Sequence, residues 1–287
     1  ELEKRAQQWM AAARDNLEST PEPVEAQPSS ELVTEAAQDL VRRADREHGG
    51  FGGGQKFPQP SRLGLLSVAA KQGAVPDAET VLDETLTAMV EGGLRDQLGG
   101  GFHRYCVDRE WVVPHFEKML YDNASIPEAY LAAAQLTGND QYAAIAEETF
   151  AFVDRELRHP GGAFYSTLDA RSQPPTGADE TPGRGVEGAF YVWTPEEVAD
   201  AIQSAEEQGS DTTASDQIDV DEALLVDLVT DRYGITPAGN FEGKTVLTQA
   251  RSIDDMAAEY DRDPAEIQRL LEVAEERLEQ ARSDGLL

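Results

Sequence analysis

Hydrophobic residues recur at helical spacing along most of the 287-residue chain, and glycine-, proline- or acid-rich stretches interrupt them at intervals. The run from Ser30 to Val41 places Leu32, Ala36, Leu40 and Val41 on one side, behind a serine suited to cap a helix. The glycines from Gly49 end it. Helices are predicted over about 60–72 and 77–94, the second carrying Val81, Leu82, Leu86, Met89 and Val90. Pro114 stands where a first helical turn tolerates proline, so a helix is predicted from there to Thr137-Gly138, kinked at Pro127, with another over about 139–157. In the first of these, Phe116, Leu120 and Leu131 take the buried side. His115, Lys118 and Asp122 share a polar stripe at i, i+3 and i+7, beside Glu117 and Tyr121.

The period then changes. Ala163–Asp169 and Ala189–Thr194 are short aromatic runs of β character, separated by a Pro/Gly/Asp-rich loop, and read as a small hairpin. Thr194-Pro-Glu-Glu has the signature of a helix start. Residues 204–221 are poor in hydrophobes and read as a solvated excursion, after which helices are predicted over about 222–232, closed by Gly234, and over 252–259 and 264–282. Residues 1–28 read as a trailing helix and a proline-rich connector, leaving 29–287 as the main domain. Because the chain opens on Glu1-Leu-Glu-Lys, already helical in pattern, it reads as a piece of a longer protein.

The loops repeat. Gly-Gly-Phe occurs at 49–51 and 100–102 and Gly-Gly-Ala-Phe at 161–164, and each interval holds two predicted helices. A glycine turn returning after every helix pair implies a mainly α array of helical hairpins. If the array closes into an (α/α) toroid, these loops gather at one mouth, where glycine permits tight turns and polar neighbours point inward.

Composition narrows the function classes. Fifty-five acidic residues against 24 basic ones give a formal net charge of -31, which opposes binding to nucleic acid or anionic lipid. Lysine is confined to Lys4, Lys56, Lys71, Lys118 and Lys244, a balance suited to a cytosol at multimolar salt, so a halophilic archaeal source and a cytoplasmic location are expected. No apolar run approaches the roughly 20 residues that cross a bilayer. Cys106 stands alone, which excludes an internal disulfide, and is expected to be a small buried residue. The glycine-rich stretch at 50–57 lacks the ending of a phosphate loop, Asp45–Lys56 lacks the calcium-loop ligands, and the His103–His115 spacing fits no zinc motif, so neither metal nor cofactor is expected.

Candidate chemistry is densest over residues 96–123. His103 and His115 titrate near working pH without perturbation, and Glu117 and Asp122 could orient them or act as an acid and base pair. Trp111 and Tyr105 suit either a platform for a sugar ring or the core. The stretches Gly49-Gly-Phe-Gly, Lys56-Phe-Pro, Asp96-Gln-Leu-Gly-Gly-Gly-Phe-His-Arg-Tyr, Trp111-Val-Val-Pro-His-Phe-Glu-Lys-Met-Leu-Tyr-Asp-Asn-Ala, Phe164-Tyr-Ser, Glu187-Gly-Ala-Phe-Tyr-Val-Trp-Thr and Gly239-Asn-Phe-Glu-Gly-Lys strongly resemble the YyaL, or spermatogenesis-associated protein 20, family. The resemblance implies a thioredoxin-like domain followed by a six-hairpin, glycosidase-like (α/α) toroid, of which this chain would be the first half. The family is similar to sugar 2-epimerases and six-hairpin glycosidases, and with the candidate residues this leads to the expectation of a sugar epimerase, isomerase or glycosidase-like activity on a sugar-like substrate or glycan, with His103, His115 and Glu117 in proton transfer. Asp96, Arg104, Tyr105, Trp111, Tyr121, Asp122, Asn123, Asp169, Tyr191 and Trp193 would shape the site. The alternative is a non-catalytic binding or scaffold module that presents a client to the thioredoxin-like domain.

Overall fold

A computed structural model describes residues 4–5, 7–10, 29–172, 185–204 and 221–285. The proline-rich connector, the loop inside the expected hairpin and most of the solvated excursion lie outside the described residues. The mainly α expectation holds: the helices are α1 (Ser30–Arg43), α2 (Pro60–Lys71), α3 (Ala78–Glu91), α4 (Leu120–Thr137), α5 (Asp140–Phe152), α6 (Pro195–Ser204), α7 (Glu222–Tyr233), α8 (Ile253–Tyr260) and α9 (Pro264–Ser283). Their ends follow from local chemistry. Thr194 and Glu197 exchange backbone-to-side-chain hydrogen bonds as a capping box at the start of α6. Asn139, Asp221, Ser252 and Asp263 each accept a backbone N–H at a helix start, and Gly138 and Gly234 close α4 and α7 in the left-handed conformation.

The helices pack α2 on α3, α4 on α5, and α6, α7 and α8 around α9, while α2 also packs on α4. Two apolar cores result. One, between Ala37 and Ala146, joins α1 to α5; the other, between Trp193 and Ala281, joins α6 to α9. Phe116, Ala170, Val192 and Val246 fill the seam between them.

Paired two-residue strands link the loops. β1 (Tyr105–Cys106) pairs with β2 (Pro114–His115), β3 (Lys118–Met119) with β4 (Thr167–Leu168), β5 (Arg171–Ser172) with β6 (Val186–Glu187) and β7 (Val192–Trp193) with β8 (Thr245–Val246), all antiparallel. Lys56↔Cys106, Lys118↔Leu168 and Val192↔Val246 therefore tie each loop to the next, and the loops share one end of the hairpins.

Two expectations fail here. The helix predicted from Pro114 starts at Leu120, because Val107 to Val113 and Cys106 to Pro114 pair across a hairpin and Met119 is extended. Pro114 has no N–H to lose from that ladder. Hence His115, Lys118 and Asp122 share no helical stripe; Phe116 is buried, whereas Leu120 is only half-buried and Leu131 is exposed. The two aromatic runs also do not pair with each other: the first meets β3 and the second meets β8, and only β5 and β6 join between them.

The first two glycine loops are built alike. In the first, Lys56 Nζ donates to Asp45 Oδ2 (2.7 Å) and to the Gly49 carbonyl (2.7 Å), and Arg109 grips the same carboxylate at 2.7 and 2.8 Å. In the second, Lys118 Nζ donates to Asp96 Oδ2 (2.8 Å) and the Gly100 carbonyl (2.8 Å), and Arg282 of α9 donates to Asp96 Oδ1 (3.0 Å). Glycine is required by contact as well as by a positive φ. A Cβ on Gly50 would lie 2.7 Å from the Trp111 ring, and one on Gly101 would lie 2.4 Å from the Phe152 ring.

Candidate functional site

The β1–β2 hairpin carries His115 to a partly open face. A carboxylate only accepts, so His115 Nδ1–H donates to Glu187 Oε1 (2.9 Å), which fixes the tautomer of the neutral ring. Nε2 then carries a lone pair and lies 3.5 Å from Glu117 Oε2. The Thr167 hydroxyl donates to Glu117 Oε1 at 3.0 Å and steadies that side chain. Tyr105, the β1 partner of His115, tilts over the imidazole with 5.2 Å between ring centroids and stacks on Phe57 at 4.7 Å. The result is an aromatic strip ending at an imidazole.

Arg104 completes the face. Its guanidinium lies over the rings of Phe57 (5.3 Å) and Tyr121 (5.0 Å) and reaches Asp122 at 3.3 and 3.4 Å. Asp122 is buried in the first turn of α4; burial, with a smaller push from Glu117, raises its carboxyl to about 6 against the pull of Arg104. A carboxyl that gains and loses a proton near pH 6 thus sits in the same cluster as an oriented imidazole.

Of the residues singled out in the sequence, Arg104, Tyr105, His115, Glu117, Tyr121 and Asp122 come together. Others are placed elsewhere, each for a physical reason. His103 is 2% exposed; its Nδ1–H donates to the Phe116 carbonyl (2.9 Å), and burial, aided by the Lys118 charge, lowers its pKa to about 3. The structure therefore places His103 in the interior, apart from the open cluster around His115, where it was expected to take part in proton transfer. Asp96 is enclosed by its two cations, and the Asn123 amide is consumed by the backbone of Phe102 and Met119. Trp111 is buried at a positive φ with its indole N–H on the His48 carbonyl, and Trp193 is buried in the second core, so neither is a sugar platform. Tyr191 packs on Phe116 and His103, and Asp169 is exposed, its side chain accepting, among the described residues, from the Arg171 backbone. Cys106 is fully buried, as expected.

Sequence reasoning passed over Phe57 and Glu187 as site residues. Both lie in stretches that carry the family resemblance, but only the pairing of β5 with β6 brings Glu187 to His115. Among the described residues no His, Cys, Asp and Glu side chains form a group able to hold a metal ion, and no helix is long and apolar enough to cross a membrane. A cavity of about 500 Å³ lined by Arg46, His48, Glu84, Glu110 and Gln249 stands apart from this face.

The chain is 38% identical over 259 residues to human spermatogenesis-associated protein 20, a match covering 85% of this chain and 31% of the relative. It is homologous to that part of the human protein. An uncharacterized protein of Caenorhabditis elegans is 31% identical over 255 residues, covering 83% of this chain and 32% of its own. The chain therefore spans about a third of the length of the curated relatives it matches. No family model matches it. Among solved structures it is similar to cellobiose 2-epimerase from Spirochaeta thermophila (20% identity, TM-score 0.44, 65% of this chain and 52% of that one). It is also similar to an unsaturated glucuronyl hydrolase specific for heparin (13% identity, TM-score 0.43, 90% and 70%).

Proposed function

We propose that this chain supplies the acid/base face of a carbohydrate-active (α/α) toroid, and that His115 exchanges a proton with a sugar lying over Tyr105 and Phe57. The observation that carries the reading is His115 itself: half-buried, oriented through Nδ1 by Glu187, with Nε2 turned towards Glu117 beside an aromatic strip. The C–H face of a pyranose packs on such rings while its hydroxyls remain free for polar groups. The lone pair on Nε2 takes the proton, and Glu187 and Glu117 stabilise the imidazolium that forms, as a carboxylate does for a general-base histidine. Asp122, buried beside Arg104 with its carboxyl raised to about 6, is the second group of the cluster able to hold a proton, and it borders the face rather than opening onto it. An imidazole base with a carboxylic acid suits removal and return of a proton next to a sugar carbonyl, the step of an epimerase or isomerase. Glycoside cleavage would instead require two of the carboxylates to flank the scissile bond.

The test is incubation of the whole chain with a panel of reducing sugars in D2O, following deuterium incorporation by NMR. Incorporation is expected with at least one sugar, and His115→Asn should reduce it at least about 100-fold, in line with the loss of a general base, with little change in thermal midpoint. Exchange that survives in His115→Asn removes His115 as the base, and no incorporation with any sugar, together with a lowered midpoint in His115→Asn, would favour the non-catalytic module, in which the same ion pairs only hold the loops together beside a thioredoxin-like domain.

A further inference from the structure

Arg104 is held but under-used. Two aromatic rings fix its guanidinium, side-chain exposure is 30%, and its contacts to Asp122 are long and made by Nη1 alone. Among the described residues, Nε and Nη2 donate to no protein group. Other arginines of this chain show what the same fork does when its purpose is structural: Arg46 grips Glu84 at 2.7 and 2.9 Å, and Arg109 grips Asp45 at 2.7 and 2.8 Å. Both use Nε together with a terminal nitrogen, the edge that Arg104 leaves open. A planar fork whose rotamers are already restricted by stacking binds a planar or tetrahedral oxyanion through two parallel hydrogen bonds, at small further cost in conformational entropy.

We infer that Arg104 reads an anionic substituent, a carboxylate or a phosphate, on the sugar bound at this face. The inference rests on the proposed sugar site and adds the class of substrate to it. The guanidinium lies over Phe57, which stacks on Tyr105, and Tyr105 in turn meets His115, so a sugar bound along this strip would have its substituent at the Arg104 end and its reacting carbon at the His115 end. Glu117 and Glu187 belong to the imidazole end, and Asp122 is the carboxylate that shares Arg104. A neutral sugar offers the fork no acceptor of comparable strength.

Isothermal titration of the whole chain with glucuronate, glucose 6-phosphate, glucose and inorganic phosphate tests this. At least one anionic sugar should bind ten-fold or more tightly than glucose. Arg104→Gln should abolish that preference, the anionic sugar losing ten-fold or more in affinity and glucose losing less, and Arg104→Lys, which keeps the charge but loses the fork, should restore only part of it. Glucuronate ahead of glucose 6-phosphate identifies a sugar acid, and the reverse order a sugar phosphate. A preference that persists in Arg104→Gln overturns the inference, as does inorganic phosphate binding as tightly as glucose 6-phosphate, which marks an adventitious ion only. If glucose binds in a His115-dependent manner without any anionic preference, only the Arg104 assignment falls. If none of the sugars binds, the sugar site falls with it.

Discussion

The first and second glycine loops share a scaffold and differ in what has been set into it. In each, an aspartate accepts backbone N–H groups of its own turn and a buried lysine spans that aspartate and a glycine carbonyl. The lysine follows its aspartate by 11 residues in the first loop and by 22 in the second. The difference, 22 less 11, matches the length of the segment Tyr105–His115, the β1–β2 hairpin that carries Tyr105 and His115. After Phe51 the first loop has three glycines, and after Phe102 the second has His103-Arg104-Tyr105. The repeat supplies rigidity, and the departure from the repeat supplies the side chains able to bind and react. The third loop departs differently. His159 stands where the aspartates stood, its backbone bonding Ala163 as Asp45 bonds Gly50 and Asp96 bonds Gly101.

The largest expected effect tests whether the two cradles carry equal weight. Asp96 is enclosed with Lys118 and Arg282, whose side chains are 2% and 4% exposed, whereas Arg109 at the first loop is 36% exposed and also bonds Glu47. Asp96→Asn keeps the acceptor for the turn but leaves two buried cations with no anion between them. The cost should be about 3–5 kcal/mol, as for other broken buried pairs. Asp45→Asn should cost at least about 1 kcal/mol less, because Arg109 keeps both Glu47 and water. Urea denaturation of both variants measures the difference, and equal costs would break the comparison. Arg282 comes from the last helix, so Asp96→Asn should also loosen α9 from the loops. Amide exchange in α9 reports this separately.

A middle-sized effect separates the second loop by pH. His103 occupies the place of Gly52 and has a pKa near 3 when folded, against the ordinary 6.5. Between these values the unfolded chain binds a proton that the folded chain refuses. Stability therefore falls as pH drops below about 6.5, and the loss levels off only below about 3. Between pH 7 and pH 5 the wild-type chain should lose about 1–2 kcal/mol more than His103→Asn, read from denaturation midpoints at each pH. Parallel pH profiles would mean that His103 charges in the folded state, and its exclusion from the site would have to be withdrawn.

Much of the scaffold was legible because it rests on local rules. Hydrophobic spacing located nearly every helix, capping residues located their starts, and the Gly-Gly-Phe recurrence located the loops that share one end. The β pairing was not legible. Trp111-Val-Val-Pro-His reads equally as strand or helix start, and what decides it is a partner, Tyr105-Cys106-Val107, whose own strand character is brief. That single error set His115 and Glu117 on the first turns of a helix that starts only at Leu120. The site was half legible for the same reason. Residue type marks Arg104, Tyr105, His115 and Asp122 as chemical, yet Glu187 joins them from 72 residues away through two two-residue strands. Residue type also misleads: His103, Asp96 and Trp111 carry reactive or stacking groups spent on burial, ion pairing and a carbonyl.

The smallest effect is the sharpest test of what makes a cradle. At the third loop the Gly161 N–H donates to His159 Nδ1 at 2.9 Å, reproducing the turn that the two aspartates make. His159→Asp restores the residue of the other two loops, and its carboxylate can accept the same N–H. Among the described residues, however, no lysine or arginine side chain reaches His159, and the residue is exposed. If the aspartates at 45 and 96 matter through their buried cations, the substitution should change stability by no more than about 0.5 kcal/mol, as for ordinary surface changes. A gain above about 1 kcal/mol would show that the aspartate turn stabilises the loop by itself. Lys56 and Lys118 would then be compensation for burying that carboxylate rather than the reason it is there.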